Sequence, residues 1–219
     1  KTFSKLVAYS GNDYWDGAYD FSVIKNYLCA DFTGYTLAKK YNVNHLYYRP
    51  YVNYDFFKYQ GVSDSNLFGS YINEYQKLFT QEFDFCKNIF TSCNQLSHRL
   101  CDSKPLDFVI NTLRESIATI HVKRIEGYGY SIIESMAAGR PVFLHRQLAE
   151  NKSYKNWAIE GLTAYYFNDV QEFENKALAF YENQDFRHSQ QEACAKAIRK
   201  MINNDEQFFN LKNFLNNLK

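Results

Sequence analysis

Glu126 and Glu134, with seven residues between them, flank a glycine turn in the string Glu126-Gly127-Tyr128-Gly129-Tyr130-Ser131-Ile132-Ile133-Glu134. Lys123 and Arg124 stand just before it. Gly127 and Gly129 allow positive φ and a close approach of ligand to backbone. A helix beginning after such a turn offers free amides and the positive end of its dipole, which favours an anion. The string therefore combines carboxylate acceptors, backbone donors and two cations, a set suited to a polar, negatively charged ligand. Each residue also has a purely structural reading. Ser131 as N-cap with Glu134 three residues on fits a capping box, and the glycines fit a tight turn. Glu126 fits a surface acid, while Lys123 and Arg124 fit solvated charges.

The elements around the string give it a place in a fold. Ala118-Thr119-Ile120-His121-Val122 is short and β-branched and reads as a buried strand. Small residues carry a helix from Ser131 to a stop at Gly139, and Pro141-Val142-Phe143-Leu144 opens the next strand. Strand, glycine turn, helix and strand make one parallel crossover, with its loop at the carboxyl edge of the sheet, where open α/β sheets bind ligands. Upstream, 5–10 reads as a strand and 20–29 as a short helix. Residues 30–41 read as a strand fragment and a helix, and 45–48 as a strand closed by Pro50. From 71 to 101 the pattern is helical throughout, with Phe79, Phe83, Cys86, Phe90, Cys93 and Leu100 as one apolar stripe. A helix starts at 103–105 and runs to Glu115. Further helices are expected at 151–160, 169–182, 186–203 and 205–218, with Asp169 and Asp205 as N-caps and a short strand at 165–167. The fold class expected is α/β: a Rossmann-like parallel sheet with helices on both faces and a helical C-terminal tail.

The string running from Glu126 through Ser135-Met136-Ala137-Ala138-Gly139-Arg140-Pro141-Val142 resembles the signature in the C-terminal domain of retaining, nucleotide-sugar-dependent glycosyltransferases of the GT-B fold, family 4 and its relatives. The segment 156–167 resembles the next helix, loop and strand of that family, and the likeness covers about 103–219. It implies that 58–219 is a nucleotide-sugar-binding domain and 1–57 a remnant or shortened N-terminal Rossmann-like part. It further implies that Glu134 holds the ribose hydroxyls, a task suited to an acceptor-only carboxylate facing a vicinal diol. Glu126 would face the donor sugar and stabilise positive charge at the anomeric carbon. Gly127, Tyr128 and the Gly129, Tyr130 and Ser131 amides would cradle the diphosphate. Transfer would go to a glycan, lipid-linked or protein acceptor, without a metal or other cofactor. The alternative is a catalytically silent glycosyltransferase-like subunit that binds a partner.

The sequence departs from that pattern in two places. The family carries an Arg and a Lys after the first strand of this domain, and no strand followed by such a pair is legible between Phe57 and Leu106. Lys123 and Arg124, or Arg49, are the replacements considered. After Val142 stands Leu144-His145-Arg146-Gln147 instead of an acidic-glycine motif, and His145 reads as a structural histidine. No Asp-x-Asp, GxSxG, HExxH or GxxxxGK[ST] string occurs, which disfavours a metal-dependent transferase of the other common fold, serine hydrolases, zincins and P-loop enzymes.

Composition narrows the class. In 219 residues, 25 basic and 24 acidic side chains leave a net charge of +1, so no electrostatic footprint for nucleic acid exists. Aromatic residues make up 18%, which argues against a disordered chain. Five cysteines without a CxxC pair fit a reducing, cytoplasmic setting. No apolar run is long enough to span a membrane, which leaves peripheral contact open. Lys1 reads as a cut end.

Overall fold

The computed structural model describes residues 7–10, 23–30, 32–48, 51–71, 80–101, 104–123, 129–150 and 152–218. The chain divides into two compact units: Lys1–Tyr51 with Ile125–Tyr130 and Ile202–Lys219, and Val52–Arg124 with Ser131–Met201.

The first unit holds a parallel sheet of β1 (Ala8–Ser10), β2 (Asn26–Cys29) and β3 (Asn44–Tyr47), in that order. Helix α1 (Phe32–Lys40) makes the crossover from β2 to β3. Tyr27, Cys29, Ala38 and Val43 form its core, with Ile24, Leu37 and Tyr47 packed against them. Asn44 donates from Nδ2 to Asn26 Oδ1 at 2.8 Å, across a register pair of β2 and β3. Helix α8 (Asn204–Asn216) contacts β3. Two expectations fail here. The stretch 20–29 was expected to be helical, yet its described part carries the central strand; a short apolar run has no period long enough to separate the two. The N-cap of α8 is Asn203, not Asp205: its side chain accepts from the Asp205 and Glu206 amides. Asp205 instead lies in the first turn, where its charge suits the dipole.

The second unit is a five-stranded, wholly parallel sheet. Its strands are β4 (Leu67–Ser70), β5 (Ser97–Leu100), β6 (Ala118–His121), β7 (Val142–His145) and β8 (Ala164–Phe167), in the order β5-β4-β6-β7-β8. The chain steps outward from β4 to β5 and then returns to lay β6 on the other side of β4, so the switch point lies between β4 and β6. Its helices are α2 (Thr80–Ser92), α3 (Leu106–Glu115), α4 (Tyr130–Ala137), α5 (Arg146–Ala149), α6 (Val170–Glu182) and α7 (Gln184–Met201). Aromatic rings fill one side of the sheet. Phe68, Phe143, Phe167 and Phe173 are fully buried, with edge-on pairs at 5.2 Å (Phe68–Phe143), 5.5 Å (Phe143–Phe173) and 5.2 Å (Phe167–Phe173).

The stretch 71–101 is not helical throughout. Thr80–Ser92 is α2, burying Cys86, Ile89 and Cys93, but Ser97–Leu100 is an edge strand, and Leu100 belongs to it rather than to a helical stripe. An edge strand covered on one side tolerates a polar Ser-His-Arg-Leu, so no β pattern marks it. A strand, β4, also precedes it where none was legible. At 151–160 the described residues form a 3-10 turn, Ser153–Asn156, rather than a full helix. Asp169 caps α6 by accepting from the Glu172 amide, as expected.

Helix α4 is pinned to β6 by buried hydroxyls. Thr119 Oγ1 lies 2.6 Å from Ser135 Oγ, which donates to the Arg140 carbonyl at 2.8 Å. Gly139 ends the helix with φ +76°, and a Cβ there would sit 2.4 Å from the Tyr59 ring. Arg140 is fully buried; its guanidinium donates to the Leu113, Arg114, Gly139 and Gly61 carbonyls. Two of these belong to the last turn of α3, where unpaired carbonyls and the negative end of the dipole favour a cation.

Candidate functional site at the carboxyl edge of the five-stranded sheet

Three strand ends and one helix start meet at the switch point. Tyr71 directly follows β4 and Cys101 directly follows β5, β6 runs out through His121 to Val122 and Lys123, and α4 begins at Tyr130. Gly129, just before the helix, has φ +83°, the left-handed conformation expected of a glycine there. Arg124, Glu126, Gly127 and Tyr128 lie outside the described residues, and so does Arg49. Lys123 is half-buried.

The helix itself corrects one reading. Tyr130 is already helical, so Ser131 lies inside the first turn and is not the N-cap. Glu134 is then the fifth helical residue, too far along to return to a cap amide. The capping box fails because the positive φ of Gly129 starts the helix one residue earlier than the serine rule places it. Ile132, Ile133, Ser135, Met136 and Ala137 are buried against the sheet, leaving Tyr130, Ser131 and Glu134 on the less covered side.

Glu134 is only partly exposed, and burial pushes its pKa up to about 7. Among the described residues nothing hydrogen-bonds or ion-pairs its side chain. A carboxylate removed from water without a partner favours its neutral form. Such a group gains most from a ligand that donates hydrogen bonds to it, and its place at the sheet's carboxyl edge makes it a functional-site candidate.

Tyr71 is the residue that sequence reading missed. It is 8% exposed, and its hydroxyl is buried with no hydrogen-bond partner among the described residues. Burial first, then the charges of Cys101 and Glu134, hold the phenol well above its usual pKa. No sequence signal marked it, because its neighbourhood reads as helix.

His145, at the end of β7, was expected to be a satisfied structural histidine; it packs among aromatic rings, but its buried Nδ1 has no hydrogen-bond partner among the described residues. Its ring is edge-on to Phe85 at 5.7 Å and Phe167 at 5.6 Å. Burial lowers its pKa against the opposing pull of a hydrogen bond to the Asn168 backbone. Beyond it, exposed Arg146 lies over the Tyr166 ring and within 3.7 Å of Glu160. No group of three His, Cys, Asp or Glu side chains suited to a metal ion occurs among the described residues. No helix among them is long and apolar enough to cross a membrane.

No protein-family model and no curated protein matches the chain by sequence. Solved structures do match by shape. TarM superposes with a TM-score of 0.74 at 10% identity, covering 97% of this chain and 50% of its own. HepE (Alr3699) from Anabaena, in complex with UDP and glucose, gives 0.67 at 10% identity, over 98% of this chain and 72% of its own. The pneumococcal O-GlcNAc transferase GtfA, in complex with UDP and GlcNAc, gives 0.66 at 9% identity, over 98% and 52%. The chain thus spans about half the length of TarM and GtfA. The likeness establishes the fold, that of GT-B glycosyltransferases: parallel sheets flanked by helices, with a helical C-terminal region.

Proposed function

We propose that this chain is the donor-binding part of a retaining glycosyltransferase, which moves a hexosyl or related sugar from a nucleotide-diphosphate sugar to a glycan, lipid-linked or protein acceptor. The observation that carries the reading is Glu134: a partly buried carboxyl, without a partner among the described residues, on the helix that opens at the switch point of a GT-B sheet. In the proposal its carboxylate accepts from the ribose diol of the nucleotide. The Gly129, Tyr130 and Ser131 amides at the start of α4 take the diphosphate, where the helix dipole favours negative charge. Gly127 and Tyr128 complete the turn, and Lys123 and Arg124 add positive charge. Helix dipole and basic side chains neutralise the phosphates, so no metal or other cofactor takes part. Glu126 is the catalytic residue of the proposal. It faces the donor sugar, and its negative charge is worth most as positive charge grows at the anomeric carbon.

Residues 58–219 are proposed as the nucleotide-sugar-binding domain and 1–57 as a shortened N-terminal Rossmann-like part. The setting proposed is the cytoplasm; the five cysteines, all buried and none in a disulfide, agree with a reducing environment. The relatives crystallised with UDP make UDP the first ligand to try. Calorimetric titration with UDP and with GDP, with and without sugar, tests the binding half of the reading. Donor hydrolysis or transfer by the full-length protein, wild type against Glu126→Gln, tests the chemical half. Loss of turnover of about 100-fold with nucleotide affinity kept is expected. Turnover that survives intact in the variant removes Glu126 from the mechanism. Nucleotide binding with no wild-type turnover favours the silent subunit.

A further inference from the structure

Strand β4 lies beside β6, with Ser70 in register with Ile120, so Tyr71 emerges at the switch point. Its hydroxyl is shut off from solvent and, among the described residues, meets no partner. A buried hydroxyl left unmet is destabilising, and folded proteins seldom keep one without a use. Gly69, two residues before Tyr71 and so on the same face of the sheet, points at Thr119, whose hydroxyl lies 2.6 Å from Ser135 Oγ; α4 therefore packs on the face that Tyr71 shares, with Glu134 one residue from Ser135. The Glu134 carboxyl and the Cys101 thiol after β5 are the two titratable groups whose charge the phenol feels. The thiol is engaged with the Arg99 carbonyl at 3.8 Å. The carboxyl, once ionised, offers several acceptor positions and has no donor among the described residues. Tyr71 keeps its proton throughout the neutral range, because burial opposes the phenolate.

We infer that Tyr71 is the positioning residue of Glu134: its hydroxyl donates to the Glu134 carboxylate when that group ionises, fixing one oxygen and presenting the other to a ligand. The proton leaving Glu134 goes to solvent, and Tyr71 keeps its own. The first part depends only on the two side chains. The second, that the presented oxygen meets a nucleotide diol, rests on the proposed function.

The test uses the full chain with Tyr71→Phe, which keeps the ring and deletes the donor. Carbon-13 resonances of the glutamate carboxyls, assigned with Glu134→Gln, report the Glu134 titration in the free protein. Loss of a hydrogen bond to the charged form should raise its midpoint by about one pH unit or more. An unchanged midpoint overturns the inference. Should Tyr71→Phe not fold, 3-fluorotyrosine at position 71 gives an independent reading. Its fluorine resonance should shift with the Glu134 titration and lie flat in Glu134→Gln; a flat wild-type resonance overturns the inference equally. UDP is the probe for the second part. A one-unit rise cuts the ionised fraction at pH 7 from about one half to about one tenth. UDP should therefore bind Tyr71→Phe roughly fivefold more weakly at pH 7, and the two proteins should converge above about pH 9. A pH-independent loss would point to packing instead and overturns the second part. Wild-type protein that binds no UDP defeats the proposed function, while the two resonance titrations still decide the role of Tyr71.

Discussion

Glu134→Gln should strengthen the fold and weaken the ligand, and both effects can be sized. A glutamate ionises near 4.5 in an unfolded chain, and burial moves this one to about 7. Between those values the native state holds a proton that the unfolded state has released. Its stability therefore falls as pH rises through the window and levels off above pH 7. Each pH unit is worth roughly 1.4 kcal/mol, so the full cost of ionised Glu134 above pH 7 is about 3 kcal/mol. Glutamine has the same shape and no charge to bury. Urea denaturation at pH 4.5 should find wild type and Glu134→Gln within about 0.5 kcal/mol. At pH 8 the variant should be more stable by about 2–3 kcal/mol. Nucleoside diphosphate affinity should move the opposite way, weakening by about 10- to 100-fold, the usual worth of hydrogen bonds to a charged acceptor. Wild-type affinity should itself rise with pH through about 7 and level off roughly one unit above it, since a ligand diol requires the ionised form. A stability difference constant across pH, or a glutamine variant weaker at pH 8, would show that a cation neutralises Glu134 and would refute the argument.

Three further outcomes are expected. Arg140→Met leaves the Leu113, Arg114 and Gly61 carbonyls without their donor and should cost about 3 kcal/mol or more in urea denaturation, with the same sign at pH 6 and pH 8. Gly139→Ala combines a left-handed backbone with a Cβ placed 2.8 Å from the Gln191 carbonyl, so it should lower stability by about 2 kcal/mol or more; thermal melts would check it, and a neutral result would mean the turn can be reshaped. Asp169→Ala removes the acceptor from the Glu172 amide and should cost about 1 kcal/mol, with nucleotide affinity unchanged in calorimetry.

The crossover from β6 through α4 to β7 was legible because each of its parts carries its own signal. Ala118–His121 is buried on both faces, as a central parallel strand must be, and Gly139 and Pro141 punctuate the turn to Val142. The neighbouring strands carried less. Strand β4 reads Leu-Phe-Gly-Ser, and its Gly69 looks like a breaker; in the fold a Cβ there would come 3.3 Å from Thr119, so the glycine serves a close approach between strands. Edge strand β5 is mostly polar. Central strand β2 is four residues long, shorter than any period that could separate it from a helix. Within the site, the glutamate and the glycine turn stood out by residue type. Tyr71 did not, since nothing local distinguishes a tyrosine that closes a strand from one on a helical stripe. The shift of the helix start from Ser131 to Tyr130 was likewise invisible, because it depends on the backbone angle of Gly129.

The described polar groups of the five-stranded unit differ in how well they are met, and the difference between Arg140 and the pair Tyr71 and Glu134 bears on function. Around the amino ends of the strands three buried polar side chains are well met. Arg140 reaches four carbonyls. Gln191 accepts from the Ser63 amide and donates to the Ile117 carbonyl, and Thr163 donates to the Trp157 carbonyl while accepting from the Ile159 amide. These bonds join α3, α4, α7 and the strand starts, and they stabilise the unit whether or not a ligand is bound. At the carboxyl ends of the switch-point strands, Tyr71 has no partner for its hydroxyl, and Glu134 holds an acid that burial keeps half-protonated near pH 7. An unmet donor and an unmet acid cost stability that an apolar pair of similar size would not. The cost is recovered when a ligand supplies the missing hydrogen bonds, and for that reason the binding reading rests on Glu134 and Tyr71 rather than on the better-bonded arginine.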